Sequence, residues 1–178
     1  MTTGIILKAL SGFYYVDVGD NLIECHARGL FRKTGDSPLV GDYVDIEILS
    51  DGTGVIKSIK ERKNSLNRPP IANIDKIFIV SSYTSPAPNT YIIDSMTAIA
   101  EDKGIKPIIV FNKCDMGDFS EFVSIYEKCG YPVFVVSAQE QNGLDALRDE
   151  LAGSVSVFAG NTGVGKSSIL NALFAELS

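Results

Sequence analysis

A chain of 178 residues with 45% hydrophobic and 21% charged side chains holds one large domain or two small ones, with the composition of a globular protein. No apolar run approaches the ~18 residues that cross a bilayer, and Met1-Thr2-Thr3-Gly4-Ile5 lacks the basic-then-apolar order of a secretion signal. The net charge of −6 excludes a generic polyanion binder, so any nucleic-acid contact must be local.

In chain order, the first sixty residues read as short strands. Phe13-Tyr14-Tyr15-Val16-Asp17-Val18 is aromatic and β-branched, Gly19-Asp20-Asn21 is a turn, and Asn21 to Ala27 alternates as the returning strand. Val40-Gly41-Asp42 opens a strand over 43–48, Asp51-Gly52-Thr53-Gly54 is a hairpin turn, and 55–59 returns. Four or five short strands without a long helical period predict a small Greek-key barrel such as an OB-fold over residues 1–68. Pro69 and Pro70 then predict an extended domain connection.

From 69 to 178 the pattern becomes strand–helix alternation, predicting a doubly wound α/β domain. Strands are expected at 77–81, 107–111, 133–136 and 155–159. The intervening helices carry Ile92, Met96, Ile99 and Ala100, then Phe122, Val123 and Tyr126 after a Ser120 cap, then Leu144, Leu147 and Leu151. A last helix runs from 166 to about 176.

Three motifs carry chemistry. Gly160-Asn161-Thr162-Gly163-Val164-Gly165-Lys166-Ser167, followed by Ser168, matches the phosphate-binding loop in full. Glycines let successive backbone N–H groups turn inward on a phosphate, Lys166 adds a charge for the β- and γ-phosphates, and Ser167 offers Mg²⁺ a hydroxyl. Asn112-Lys113-Cys114-Asp115 has the Asn-Lys-x-Asp pattern of guanine recognition. A carboxylate at Asp115 only accepts, so it takes the N1–H and 2-amino donors that adenine lacks. Asn112 can bond the purine and tie loops together, and the Lys113 stem can cover the base. Ser137-Ala138 could offer a backbone N–H to guanine O6, with Gln139 where many GTPases have lysine. All three follow strands, at the sheet edge where doubly wound folds bind ligands.

The guanine motifs precede the phosphate loop, the reverse of the order in ordinary small GTPases, so the domain reads as a circularly permuted P-loop GTPase. Two basic clusters are candidates for RNA: Lys57, Lys60, Arg62, Lys63 and Arg68 near the junction, opposed in sequence only by Glu61, and Arg28, Arg32 and Lys33.

With these motifs, and with Gly41-Asp42-Tyr43-Val44, the junction 62–69 and Asn73-Ile74-Asp75, essentially the whole chain resembles the circularly permuted GTPases of small ribosomal subunit assembly, the RsgA family, also called YjeQ or YloQ. The resemblance implies a GTPase using GTP, GDP and Mg²⁺, an OB-fold that contacts 16S rRNA, and action on the 30S subunit late in maturation by a cytoplasmic, monomeric protein without a membrane partner. It also places a switch threonine, an Asp-x-x-Gly loop and a zinc-binding domain after the phosphate loop. None of these follows the phosphate loop within the 178 residues; the one Asp-x-x-Gly match, Asp51-Gly52-Thr53-Gly54, reads as a barrel hairpin turn, and Cys25, Cys114, Cys129 and His26 form no zinc pattern. The GTPase domain is therefore expected to be incomplete, its catalytic residues unassigned, its turnover poor, and the strand before the phosphate loop an open edge. A non-catalytic RNA-binding module with a vestigial or regulatory nucleotide site is the rival reading, and an ATP-dependent P-loop protein a third.

Overall fold

The computed structural model describes residues 1–27, 31, 37–84 and 86–174. The chain divides into two units, Met1–Ile74 and Asp75–Ser178.

In the first unit β1 (Thr2–Leu10), β2 (Phe13–Asp17), β3 (Leu22–Ala27), β4 (Tyr43–Ile48) and β5 (Gly54–Ile59) close a barrel in the order β1-β2-β3-β5-β4. Its core is filled by alternate residues of every strand, among them Ile6, Val16, Cys25, Val44, Ile46 and Ile56, all fully buried. The sequence reading has no counterpart to β1, the strand that closes the barrel by pairing with both β2 and β4. Its only buried positions are Gly4 and Ile6, and a register shift between Ile6 and Lys8 breaks the alternation that marks a strand. Asp51–Thr53 is the β4–β5 turn, where Asp51 Oδ1 accepts from the Thr53 amide and hydroxyl.

The strands β6 (Ser65–Asn67) and β7 (Pro70–Ala72) form a hairpin around Arg68 and Pro69. Pro69 lies in the turn and Pro70 opens β7, so the two prolines do not extend a linker, and the division falls after Ile74. The reason is a set of hydrogen bonds back to the barrel side. Ala72 N donates to Val40 O at 2.9 Å. The Asn64 amide exchanges two 2.8 Å bonds with the Ile74 backbone, and Asn73 Nδ2 donates to Gly41 O at 2.8 Å.

Acidic partners for three of the junction cations come from β4 and the residue before it. Arg62 makes two 2.7 Å bonds to Asp42, which is fully buried. Lys60 pairs with Asp45 at 2.7 Å, and Lys57 pairs with Glu47. Lys63 and Arg68 are exposed, and Arg28, Arg32 and Lys33 lie outside the described residues.

Asp45 also accepts from Ser58 Oγ of β5 at 2.7 Å and Thr3 Oγ1 of β1 at 2.8 Å. The Lys60 ammonium, then the two hydroxyls, favour its charged form and lower its pKa to about 2. A carboxylate depressed on folding stabilises the protein above its unfolded pKa of about 3.9 and loses that contribution as pH falls through the folded value. The stability gap between wild type and Asp45→Asn in urea unfolding is thus expected to be full at pH 6 and to close between about pH 4 and 2. A gap that does not change with pH would rule out the carboxylate charge as its source.

In the second unit four parallel strands, β8 (Lys76–Ser82), β9 (Lys106–Asn112), β10 (Val133–Val136) and β11 (Ser156–Ala159), lie in the order β10-β9-β8-β11. The chain moves outward from β8 through β9 to β10, then returns to the other side of β8, so a topological switch point falls between β8 and β11. Among the described residues β11 pairs with β8 alone, an apolar edge as expected.

Helices α1 (Thr90–Asp102), α2 (Ser120–Lys128), α3 (Leu144–Leu151) and α4 (Lys166–Leu173) complete the unit. One sheet face, Phe78, Val80, Ile108, Val110 and Val136, packs on Leu144 and Leu147 of α3 and Ile169 and Leu173 of α4. On β9 the alternate residue Phe111 stacks on Phe119 at 4.8 Å, with Tyr126 of α2 at 6.3 Å. Two local readings shift. α1 buries Ile93, Thr97 and Ala100 while Ile99 is half exposed, a stripe rotated by one residue that places the Thr97 hydroxyl on the Asp94 carbonyl. The start of α2 is held by Asp118, whose Oδ1 accepts from the Ser120 amide and hydroxyl, and Ser120 is the first helical residue. Gly104, at φ +65, ends α1 as expected: Ile105 N reaches back to Ala100 O and Gly104 N to Glu101 O.

No described helix is long and apolar enough to cross a membrane, and no cluster of three His, Cys, Asp or Glu among the described residues could hold a metal.

Candidate nucleotide site

Parallel pairing puts the C-terminal ends of β8, β9, β10 and β11 on one edge of the sheet, and the motif residues follow three of them. Asn112 is the last residue of β9 and is buried. Its Nδ2 donates to Val164 O in the phosphate loop at 2.9 Å, and its Oδ1 accepts from Ala138 N at 3.2 Å. One buried amide therefore joins its own loop to two others, whose residues lie 26 and 52 positions away.

Lys113 adds a second tie, donating from Nζ to Gly163 O at 3.0 Å and to Thr84 O at 3.2 Å. It adopts the left-handed conformation, φ +66, which turns the chain into the 3₁₀ turn Cys114–Met116 that carries Asp115. Asp115 Oδ1 accepts from Ser137 Oγ at 2.5 Å. Ser137 is fully buried, so its hydroxyl fixes a more exposed carboxylate from beneath.

The phosphate loop is anchored by Val164, which sits in the core with Ile169 and Leu173. Two of its glycines are sterically required. A Cβ on Gly160 would lie 2.2 Å from Val80 O, and one on Gly165 would lie 2.2 Å from Asn112 Nδ2; both have positive φ. Gly165 heads α4 without a side-chain cap. Lys166 Nζ curls over the loop and donates to Gly160 O and Asn161 O, both at 2.8 Å. Asn161, Thr162, Gly163, Ser167 and Ser168 are exposed along it.

A cavity of about 380 Å³ lies where these loops meet, lined among others by Asp115, Ser137, Ala138, Gly163, Gly165 and Ser168. Base-side and phosphate-side residues thus border one space. A cleft of about 430 Å³ elsewhere runs past Phe119, Val123 and Val135 and contains no motif residue. Sequence reading passes over Thr84 and Met116, which also line the site. Neither belongs to a motif, and Thr84 contributes a carbonyl, which leaves no mark on residue type. Two expected contacts differ. Ala138 N is directed to Asn112, and Ser137 acts through its hydroxyl as well as its backbone, which bonds Asn142 in both directions.

The family model of the RsgA GTPase matches residues 59–178, and that of the RsgA N-terminal domain matches 3–56. The chain belongs to the RsgA GTPase family. Relatives named as the RsgA small ribosomal subunit biogenesis GTPase include one from Shouchella clausii, 46% identical over 99% of this chain and 62% of that protein. The RsgA 2 protein of Oceanobacillus iheyensis is 47% identical, again over 99% and 62%. The chain spans about three fifths of the length of these RsgA relatives. Among solved structures, YjeQ from Thermotoga maritima superposes with a TM-score of 0.80 at 34% identity, covering 97% of this chain and 64% of that one. YloQ, described as a circularly permuted GTPase, gives 0.75 at 40% identity, covering 96% and 63%. The RsgA likeness therefore extends over both units, and the permuted motif order accords with it.

Proposed function

We propose that the chain binds guanine nucleotides at this cavity and is the nucleotide-binding part of a cytoplasmic, monomeric GTPase that acts in maturation of the small ribosomal subunit. The supporting observation is the buried Asn112 amide, which couples the base-recognition loop to the phosphate loop. A purine held by Asp115 would then have its phosphates delivered to the loop 160–167, with Ala138 N and Asn112 exchanging their mutual bond for the base. Lys166 would leave the loop carbonyls for a phosphate, a stronger acceptor.

The donor set suits Mg²⁺, a hard cation that keeps several waters and takes one protein oxygen beside phosphate oxygens. The exposed Ser167 hydroxyl stands in the uncapped first turn of α4. When bound, the ion would supply positive charge to the phosphate oxygens, while the chain's own residues hold the base and orient the phosphates. The cavity lining serves base and phosphates, so turnover by the 178 residues is expected to be slow relative to binding.

Contact of the barrel with 16S rRNA in the 30S subunit is part of the same proposal. Arg62, Lys60 and Lys57 hold Asp42, Asp45 and Glu47, so the exposed Arg68 is the better supported contact. Titration with a fluorescent GDP, competed by GDP, GTP and ADP, tests the nucleotide reading. Displacement by the guanine nucleotides alone is the expected result; equal displacement by ADP, or no binding at millimolar concentration, would refute it. Co-sedimentation with 30S subunits, weakened by the Arg68→Glu substitution, tests the RNA contact.

A further inference from the structure

The turn that carries Asp115 is short, and its carboxylate must meet two donors on one edge of a base. Two of its restraints lie in the motifs: Lys113 holds its entry, and Ser137 Oγ holds the carboxylate. The exit of the turn is held by something no motif contains. Gly117 directly follows the turn, and a Cβ there would lie 2.0, 2.2 and 2.4 Å from three atoms of the Tyr83 ring. The ring therefore lies flush on the Gly117 backbone. Gly117 has φ 166, extended backbone open to any residue, so the room taken by the ring, and not the dihedral, is what calls for glycine.

Tyr83 is itself held. Its ring meets Phe119 edge-on at 5.5 Å and 89°, and Phe119 is buried and stacked on Phe111 of β9. Its backbone follows Ser82, which is fully buried, pairs with Asn112 across the sheet and donates from Oγ to Pro86 O at 3.0 Å. The next residue, Thr84, accepts from Lys113 Nζ and contacts Met116 Sδ through its hydroxyl at 3.6 Å. The loop after β8 thus grips the recognition turn at both ends, through a carbonyl on Lys113 and through a ring on Gly117.

We propose that Tyr83 is a positioning residue for guanine selectivity: its ring, seated on Gly117 and backed by Phe119, fixes the turn that aims Asp115 at the base. The inference rests on the guanine reading of the site and names the wall that sharpens it. A turn freed at its exit still carries the carboxylate, but aims it less well, so the loss falls on the hydrogen bonds to N1–H and the 2-amino group. Contacts to the phosphates are unaffected.

Inosine diphosphate lacks only the 2-amino group, so the ratio of GDP to IDP affinity reads that aim and cancels changes common to both ligands. In the 178-residue chain, Tyr83→Ala is expected to cut the ratio about tenfold, the scale of one misaligned bond to a charged group. Gly117→Ala, which displaces the ring from the other side, is expected to cut it similarly, and Tyr83→Phe, which keeps the ring, to restore it. Thermal unfolding establishes which variants are folded, and Gly117→Ala decides the matter if Tyr83→Ala is not. A folded Tyr83→Ala or Gly117→Ala protein with the wild-type ratio overturns the inference. A wild-type chain that fails to prefer GDP over IDP would instead bring down the guanine reading itself, before any variant is compared.

Discussion

Asp115→Asn is expected to turn a guanine site into a xanthine site. The Asp115 carboxylate accepts from Ser137 Oγ through Oδ1, leaving its remaining acceptor capacity for N1–H and the 2-amino group. An amide keeps the Ser137 bond through its oxygen but turns an NH₂ toward the base. That donor opposes the guanine 2-amino group and matches the 2-oxo group of xanthine. Loss of two charge-assisted bonds corresponds to about 2–4 kcal/mol, so GDP affinity should fall roughly 30- to 1,000-fold. Xanthosine diphosphate should gain what GDP loses, and competitive titration of the two nucleotides measures both. An unchanged preference would remove Asp115 from base recognition and favour the ATP-type reading. Because Asp115 lies on the rim of the fold and not in its core, thermal stability should stay within about 0.5 kcal/mol of wild type.

Gly165→Ala is expected to abolish nucleotide binding while leaving the strand scaffold in place. The added methyl would sit 2.2 Å from Asn112 Nδ2 at a residue with φ +93. The backbone penalty is about 1–2 kcal/mol. Displacing the Asn112 amide also breaks its bonds to Val164 O and Ala138 N, leaving buried polar groups unpaired at about 1–3 kcal/mol more. The total, about 2–5 kcal/mol, is a large fraction of a small domain's stability. It falls where base loop and phosphate loop are joined, so affinity should drop beyond the hundredfold range. Gly153→Ala is the control: its φ is +66, but nothing lies within 4 Å of its Cβ, so only the conformational penalty of about 1 kcal/mol applies. Equal effects at both positions would mean that the close approach to Asn112 is not what makes Gly165 necessary.

Legibility followed the range of the interactions involved. The motif at 160–167 was plain because it is written in consecutive residues: glycines whose missing Cβ the fold uses, then Lys166 and Ser167. The strands β8 and β9 were plain because a parallel strand buried on both faces is a continuous apolar run. The strand β1 was obscure because a register shift disrupts its alternation. The face of α1 was read one residue out, because Thr97 can be buried once its hydroxyl bonds the Asp94 carbonyl, a compensation that composition does not reveal. The pairing of Lys57, Lys60 and Arg62 was not legible because their partners Glu47, Asp45 and Asp42 lie 10 to 20 residues earlier and meet them only in the folded barrel.

By itself, then, the sequence determined most of the elements, the two-part organisation and the three motifs, since periodicity and loop chemistry are local properties of a chain. Only the tertiary structure decided which strand ends adjoin, that Asn112 knots base loop to phosphate loop across 52 residues, and that Tyr83 lies against Gly117. Those depend on parallel pairing between distant strands. In each such contact the residue's partner is set by what the fold brings to face it.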